Sequence, residues 1–339
     1  MVWIKFLACV VIILFSGTKT ARYADIIADK TGMGRIWIGL LLLGVVTSLP
    51  ELITGLSSVT MVGESGVPDL GLGTLLGSCT FNLLVLAVLD VMHREGPVLN
   101  LASTRQIASA RMAILLFVIT AASIGFSERL SGFTIGWVGI SSIIIFGLYI
   151  LGAWRAFKSE REYNESSVDI FTKSSEENPE VKGLWVKFIA ASLMIVAAGV
   201  WLSFVGNEIS ETTSLDTSFV GSLLLAASTS MPELVVAISA FRLGAVDLAV
   251  ADILGANMLD VTYIFLLDLL YTEGPLLSSV SNGHIIIALL AIAMSILVIT
   301  GLLFRQKKKT FGIISWQGVF LIGFYLFGAY ALFSSGMAL

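Results

Sequence analysis

The feature that most constrains this chain is a succession of apolar stretches, each as long as a membrane-spanning helix. A span needs about 20 mostly apolar residues to cross the hydrocarbon core of a bilayer. Windows of that length predict ten helices, near residues 2–29, 36–61, 69–92, 104–126, 131–154, 184–212, 217–241, 247–271, 279–304 and 312–336. Hydrophobic residues form 56% of the 339 residues and charged residues only 13%, unlike a soluble domain. The sequence therefore predicts an all-α membrane protein.

Two segments need a separate interpretation. Residues 1–16 also have features of a cleavable signal peptide, with Lys5 as the charged start and a small-residue site near Thr20. The polar segment 155–183 is rich in Ser, Glu and Lys, which is typical of a mobile linker. Cys9 and Cys79 both lie in apolar stretches, so they cannot form a disulfide framework.

An internal repeat relates the two halves of the chain. Residues of the first half recur at a constant offset of 182, and the pairs include Thr47 with Thr229, Ser48 with Ser230, Pro50 with Pro232, and Glu51 with Glu233. The offset then becomes 178 and pairs Gly77 with Gly255 and Asn82 with Asp260. Each half contains five predicted helices, an odd number, so the second half must enter the membrane from the opposite side. We therefore predict two inverted five-helix repeats, 1–154 and 184–339, joined by a linker at 155–183, as in many secondary transporters.

The basic residues predict the orientation of this arrangement. Of the 20 Lys and Arg residues, 18 fall on the side of the membrane that carries the linker, and only Lys5 and Arg129 fall on the other side. Cytoplasmic loops carry the excess of positive charge in membrane proteins. The linker is thus predicted to be cytoplasmic and both termini to lie outside.

Acidic residues in the middle of apolar spans are the strongest functional signal. A charged carboxylate at that depth costs roughly 2.5 to 3.5 kcal/mol on insertion scales. Glu51 and Glu233 each follow a proline, which lacks an N–H and so frees a backbone carbonyl one turn earlier. Asn82 and Asp260 lie on the next predicted helix of each half, one turn after Ser78 and Ala256. Gly77 and Gly255 would permit close helix approach.

Carboxylates, an amide, hydroxyls and freed carbonyls are all oxygen ligands, and they suit hard cations such as calcium or sodium rather than zinc or copper. Three acids carry enough charge for one divalent ion or several monovalent ions. The sequence shows no nucleophile and base pair and no His-rich metal motif, which argues against an enzyme. An antiporter and a passive cation channel both remain open, although interrupted inverted repeats favour the antiporter.

Plainer roles also remain open for several polar residues. A lone proline often only kinks a membrane helix, and a Ser or Thr hydroxyl often bonds its own backbone. Asn82 could join two helices by hydrogen bonds. Asp90 and Asp268 fall near helix ends, where a solvated or mouth-lining carboxylate is ordinary. Less weight falls on Asp69, Asp247 and Asp252, and His284 is expected at the outer membrane interface.

At these residues the chain resembles the sodium/calcium exchanger family of the calcium/cation antiporters, most of all its archaeal and bacterial members. The resemblance rests on Thr47-Ser48-Leu49-Pro50-Glu51 with Gly77-Ser78-Cys79-Thr80-Phe81-Asn82, and on Thr229-Ser230-Met231-Pro232-Glu233 with Gly255-Ala256-Asn257-Met258-Leu259-Asp260. It implies a central calcium site at Glu51, Asn82, Glu233 and Asp260. It also implies sodium ligands at Thr47, Ser48, Ser78, Thr229 and Ser230, with backbone oxygens of Gly44 and Ala226.

The same resemblance implies exchange of several sodium ions for one calcium ion in a prokaryotic plasma membrane, with no cofactor, nucleic acid or protein partner. One departure from the family pattern bears directly on a sodium position. Ala256 stands where a sodium-binding Ser is expected, which places one sodium position in question. Asn82 replaces the Asp of potassium-dependent relatives, and the Glu typical of cation/proton exchangers is missing, so potassium or proton coupling is a weaker alternative.

Overall fold

A computed structural model describes residues 1–31, 44–63, 66–165, 179–213, 215–306, 308–310 and 312–336, and within these ranges the chain is almost entirely helical. The helices of the first half are α1 (Val2–Thr31), α2 (Gly44–Thr47), α3 (Leu49–Thr60), α4 (Pro68–Met92), α5 (Gln106–Gly125), α6 (Ser127–Leu130) and α7 (Ile140–Glu165). Those of the second half are α8 (Pro179–Thr213), α9 (Thr217–Phe219), a π-helical segment (Val220–Leu225), α10 (Ala226–Thr229), α11 (Met231–Arg242), α12 (Val246–Leu270), α13 (Gly283–Leu303) and α14 (Trp316–Gly336). Two short 3-10 helices, Val98–Leu101 and Leu276–Ser278, follow α4 and α12.

Seven of these helices are long and apolar enough to cross a membrane, and an eighth span results if α9 to α11 are counted as one helix bent by 43°. Many large apolar side chains on the described helices are exposed, among them Leu7, Leu193 and Phe327. Such a surface suits lipid rather than water. Of the two other predicted spans, the one near 36–61 lies partly outside the described residues, and the apolar part of α7, Ile140–Trp154, is shorter than a full span.

The prediction of a helix from residue 131 was wrong for its first nine positions. Residues 134–139 instead form a hairpin of β1 (Thr134–Ile135) and β2 (Val138–Gly139), paired antiparallel. Gly136 adopts a φ of 68° in its turn, a conformation that glycine reaches without a steric penalty. Helix α7 therefore begins only at Ile140.

The helices beside the predicted linker are longer than the hydropathy windows indicated. Helix α7 continues to Glu165 and α8 begins at Pro179, so both enter the polar segment predicted at 155–183. Backbone hydrogen bonding does not depend on apolar side chains, so a helix continues beyond the part that suits a bilayer. The middle of the segment, 166–178, lies outside the described residues.

Two apolar cores flank the polar centre of the molecule and mirror each other through the repeat. One core contains Leu75 and Ile264. The other contains Ile253 and Leu86, which are the equivalents of those residues at an offset of 178. Equivalent residues thus occupy opposite cores, as a two-fold relation between the halves would produce.

Helix α4 packs directly on the π-helical segment. A Cβ atom added to Gly77 would lie 2.2 Å from the backbone oxygen of Ser222, and one added to Gly221 would lie 2.7 Å from that of Leu70. This confirms the predicted close approach at Gly77. No described atom lies within 4 Å of the equivalent position at Gly255, and the counterpart of the π-helical segment, residues 38–43, falls outside the described ranges.

Candidate cation site

Both predicted helix breaks are present and have the same geometry. Between α2 and α3, Ser48 has φ −84° and ψ 8°, and between α10 and α11, Ser230 has φ −84° and ψ 12°. Each break precedes a proline, which cannot donate the backbone hydrogen bond that would continue the helix. The breaks therefore lie at equivalent positions of the two halves.

Each break places a glutamate in the first turn of the following helix. Glu51 lies in the first turn of α3 and Glu233 in that of α11, and both residues are fully buried. The N-terminus of a helix carries partial positive charge from its unpaired N–H groups, which favours a nearby carboxylate. The backbone thus offsets part of the cost of burying these acids.

The two breaks contact each other in a reciprocal manner. The Ser230 hydroxyl donates to Glu51 Oε1 at 2.8 Å, and the Ser48 hydroxyl donates to Glu233 Oε1 at 3.3 Å. Ser48 is the repeat equivalent of Ser230, and Glu51 is that of Glu233. When two residues are in contact and their repeat equivalents are also in contact, the arrangement is the one that a two-fold axis produces.

The same relation appears on α4 and α12. Cys79 and Asn257 are equivalent at the offset of 178, and the Asn257 side-chain amide donates to the Cys79 carbonyl at 3.1 Å. The Cys79 thiol in turn lies 3.6 Å from the Asn257 carbonyl and 4.0 Å from Asp260 Oδ2. A residue that contacts its own equivalent would lie beside a two-fold axis relating the two halves, as the predicted inverted repeat requires.

Several oxygen atoms lie close to the Ser78 hydroxyl. Its hydroxyl lies 3.4 Å from Glu51 Oε1 and 3.5 Å from both Thr229 Oγ1 and the Ala226 carbonyl. A carboxylate, two hydroxyls and a carbonyl within reach of one another suit a hard cation. On the other side Ala256, the equivalent of Ser78, is buried and has no side-chain oxygen.

Several oxygens of the predicted site lack a hydrogen-bond partner. Glu51 Oε2, Glu233 Oε2, Asp260 Oδ1 and both polar side-chain atoms of Asn82 are buried and unpaired. Leaving a buried polar group without a partner costs about 1–3 kcal/mol, and more for a charged group. This combination favours a bound cation at the centre.

The acids do not form a closed metal cage by themselves. Within the described ranges, no group of three or more His, Cys, Asp or Glu side chains is arranged to hold a metal ion. A cation bound in this arrangement would therefore take neutral oxygens in addition to carboxylates. The neutral ligands predicted from the sequence therefore matter as much as the charges.

The structure also describes the positions of three other predicted ligands. Thr47 is fully buried at the end of α2, and Gly44 is the first residue of that short helix. The Thr229 hydroxyl lies 3.1 Å from the Leu225 carbonyl and 3.2 Å from that of Ala226. The Thr229 hydroxyl thus bonds the backbone of its own helix, which is one of the two roles considered from the sequence. Its position near Ser78 is also compatible with the second role, that of a cation ligand.

The sequence reasoning misjudged two acidic residues near the helix ends. Asp90 and Asp268 are buried rather than solvated, and they accept equivalent backbone hydrogen bonds from Val98 and Leu276 at 2.8 Å and 2.7 Å. The expected position of His284 at the outer membrane interface stays a prediction; within the protein its side chain is fully buried, and its Nε2 atom lies 3.0 Å from Asp69 Oδ1. The repeat itself was the available signal, because these acids recur at equivalent positions.

The apolar helices and the buried oxygens between two broken helices define a membrane transporter for cations. The chain belongs to the sodium/calcium exchanger protein family, whose model matches residues 1–155 and 183–334.

Individual relatives agree with this assignment. The inner membrane protein YrbG of Escherichia coli is 27% identical over 271 residues, which cover 78% of each chain. An uncharacterized membrane protein of Methanocaldococcus jannaschii is 24% identical and covers 95% of this chain and 94% of its own. Mouse sodium/potassium/calcium exchanger 2 is 30% identical over 131 residues, 38% of this chain and 18% of that protein.

A solved structure shares the fold. The sodium-calcium exchanger NCX_Mj superposes with a TM-score of 0.62 over 96% of this chain and 98% of its own, at 19% identity. This likeness shows that the fold of a membrane exchanger accommodates the sequence.

Proposed function

We propose that this protein exchanges sodium for calcium across a membrane by alternating access to the buried centre. In this proposal calcium binds to Glu51, Asn82, Glu233 and Asp260, and sodium binds to Thr47, Ser48, Ser78, Thr229, Ser230 and the backbone oxygens of Gly44 and Ala226. The observation that carries the proposal is the reciprocal pair of contacts between Ser48 and Glu233 and between Ser230 and Glu51. It joins both halves around carboxylates whose remaining oxygens are unpaired.

The proposed architecture is ten membrane helices in two inverted repeats, 1–154 and 184–339, joined by the segment 155–183. The two mirrored cores and the contacts between equivalent residues support it. A site on the axis between inverted repeats is contacted by both halves, so a rocking or sliding motion of one part can open it to either side in turn.

Coupled exchange fits the centre better than passive conduction. A channel needs weak binding at several sites along a continuous path. Here the carboxylates are buried inside the protein, and a buried charged group is costly to leave without a partner of opposite charge. Such a site suits a carrier, because a carrier must bind its ion before it changes conformation.

Calcium uptake into proteoliposomes under an imposed sodium, potassium or proton gradient tests the proposal. We expect an outward sodium gradient to drive calcium uptake. A potassium gradient or a proton gradient should have no effect on uptake. The potassium comparison is needed because some relatives are named as sodium/potassium/calcium exchangers. Uptake driven only by a proton gradient would support the calcium/proton alternative, and uptake without any counter-ion would support a channel.

The proposed orientation in a prokaryotic plasma membrane makes a separate prediction. In a background without Cys9 and Cys79, Ser335→Cys should react with an impermeant thiol reagent in intact cells, while Ser175→Cys should be protected until the membrane is permeabilised. The reason is that basic loops remain cytoplasmic. Labelling measured by a mass-tag gel shift checks this, and the reversed pattern would place the linker outside.

A further inference from the structure

Cys79 brings a sulfur atom into a centre whose proposed ligands are all oxygens. It lies on α4 between Ser78 and Asn82, and its side chain is fully buried. The thiol lies 4.0 Å from Asp260 Oδ2 and 3.6 Å from the Asn257 carbonyl, both on α12. Calcium and sodium prefer oxygen ligands, whereas a thiolate prefers softer cations such as zinc. The proposed exchange of sodium for calcium therefore makes no use of this sulfur.

The carboxylate that faces the thiol is poorly satisfied. Asp260 is 1% exposed, and its other oxygen, Oδ1, is buried without a hydrogen-bond partner among the described residues. A thiol is a weak donor, so a contact at 4.0 Å offsets little of the cost of removing a carboxylate from water. Asn257 Oδ1 is likewise buried and unpaired. The unpaired oxygens indicate a cation at this place independently of the sulfur.

The spacing of the sulfur and oxygen atoms suits a shared ion. Zinc lies about 2.3 Å from a cysteine sulfur and about 2.1 Å from a carboxylate oxygen, and its ligands are arranged tetrahedrally. Two such ligands of one ion are about 3.6 Å apart. The observed separations from Cys79 Sγ, 4.0 Å to Asp260 Oδ2 and 3.6 Å to the Asn257 carbonyl, are close to this value. A small rotation of the Cys79 or Asp260 side chain would thus place both on one cation.

The repeat shows that this pair of ligands occurs once and not twice. Cys79 is equivalent to Asn257, and Asp260 is equivalent to Asn82, at the offset of 178. The converse pair therefore consists of Asn257 and Asn82, two amides that carry neither a thiol nor a charge. A soft cation is thus offered a sulfur and a carboxylate by the Cys79 and Asp260 pair alone of the two.

We propose that Cys79 and Asp260 bind a thiophilic divalent cation, such as zinc or cadmium, through the sulfur and a carboxylate oxygen. The thiol releases its proton to the solution as the metal–sulfur bond forms. Calcium is excluded while this cation is bound, because Asp260 belongs to the proposed calcium site. That competition rests on the proposed function, whereas the binding of the soft cation does not.

Cadmium binding to the detergent-purified full-length protein, in buffer free of thiols and chelators, tests this site. Charge transfer between cadmium and a thiolate absorbs in the ultraviolet, so the absorption reports the metal–sulfur bond directly. We expect a saturable absorption in the wild type and none in Cys79→Ser. In proteoliposomes, Cys79→Ser should raise the cadmium concentration that halves calcium uptake, relative to its own uninhibited rate, by about tenfold or more, because the soft ligand is lost.

Three further variants sharpen the test. Cys9→Ser is the matched control, because Cys9 is a buried thiol in an apolar core that includes Ile13 of α1. It should keep both the absorption and the sensitivity to cadmium. Asp260→Asn keeps the thiol but removes the charged ligand, so its absorption should appear only at higher cadmium concentrations. Cys79→Ala repeats the removal of the sulfur with a small apolar side chain.

The assignment is overturned if Cys79→Ser and Cys79→Ala keep the absorption, or if Cys9→Ser loses it. It is also overturned if Asp260→Asn binds cadmium as tightly as the wild type, since Asp260 would then not be a ligand. If the wild type fails to couple calcium uptake to sodium, the proposed function is wrong, but the absorption series still decides whether Cys79 and Asp260 bind a soft cation.

Discussion

Replacing Glu51 or Glu233 by Gln is expected to remove sodium-driven calcium uptake almost completely. Gln keeps the shape and one acceptor oxygen but removes a charge that a divalent ion needs. Breaking a buried charge interaction on one side costs about 2–5 kcal/mol, which corresponds to about thirtyfold or more in affinity. Uptake by reconstituted variants, at matched protein incorporation, measures the effect.

Glu208→Gln is the matched control for these substitutions. Glu208 is partly exposed and pairs with Lys5 at 2.7 Å on neighbouring helices, away from the two breaks. Partly exposed ion pairs contribute about 0–1 kcal/mol, so this variant should transport normally. Wild-type uptake by Glu51→Gln or Glu233→Gln would remove that glutamate from the calcium site.

Gly77→Ala should destabilise the whole fold, although it adds only one methyl group. The new Cβ atom would lie 2.2 Å from the Ser222 backbone oxygen. Because both contacting groups belong to helical backbone, the clash can be relieved only if α4 or the π-helical segment shifts as a whole. Overpacking typically lowers the free energy of unfolding by about 1–3 kcal/mol, and a clash with backbone atoms is expected to lower it by at least the upper value. We expect a much lower unfolding temperature in detergent and a large aggregated fraction in size-exclusion chromatography.

Gly147→Ala provides the comparison on α7. No described atom lies within 4 Å of its added Cβ position, and Ala favours a helix over Gly by up to about 1 kcal/mol. This variant should therefore be as stable as the wild type or more stable. Equal unfolding temperatures for the two variants would mean that α4 and the π-helical segment are not in close contact.

The doubled Pro-Glu motifs were the part of the site that the sequence predicted best. Proline interrupts a helix for local reasons, so Pro50 and Pro232 indicate breaks without any knowledge of the fold. Buried acids are avoided unless they have a purpose, so Glu51 and Glu233 stand out in apolar windows. Both signals depend only on neighbouring residues.

What the sequence did not predict depends on contacts between distant residues. The π-helical segment beside Gly77 is apolar and has no local signal, because its geometry accompanies close packing against α4. The burial of Asp90 follows from acceptance of the Val98 and Ser315 backbone N–H groups, which only the folded chain brings together.

Uphill calcium accumulation tests the central claim most directly. Proteoliposomes loaded with sodium are diluted into sodium-free medium that contains trace calcium, with equal potassium and valinomycin on both sides to hold the membrane potential at zero. Coupled exchange at the proposed central site predicts internal free calcium well above the external concentration, and collapse of the accumulation when sodium is equalised. Calcium that only equilibrates with the medium, at any sodium gradient, would contradict exchange at this site.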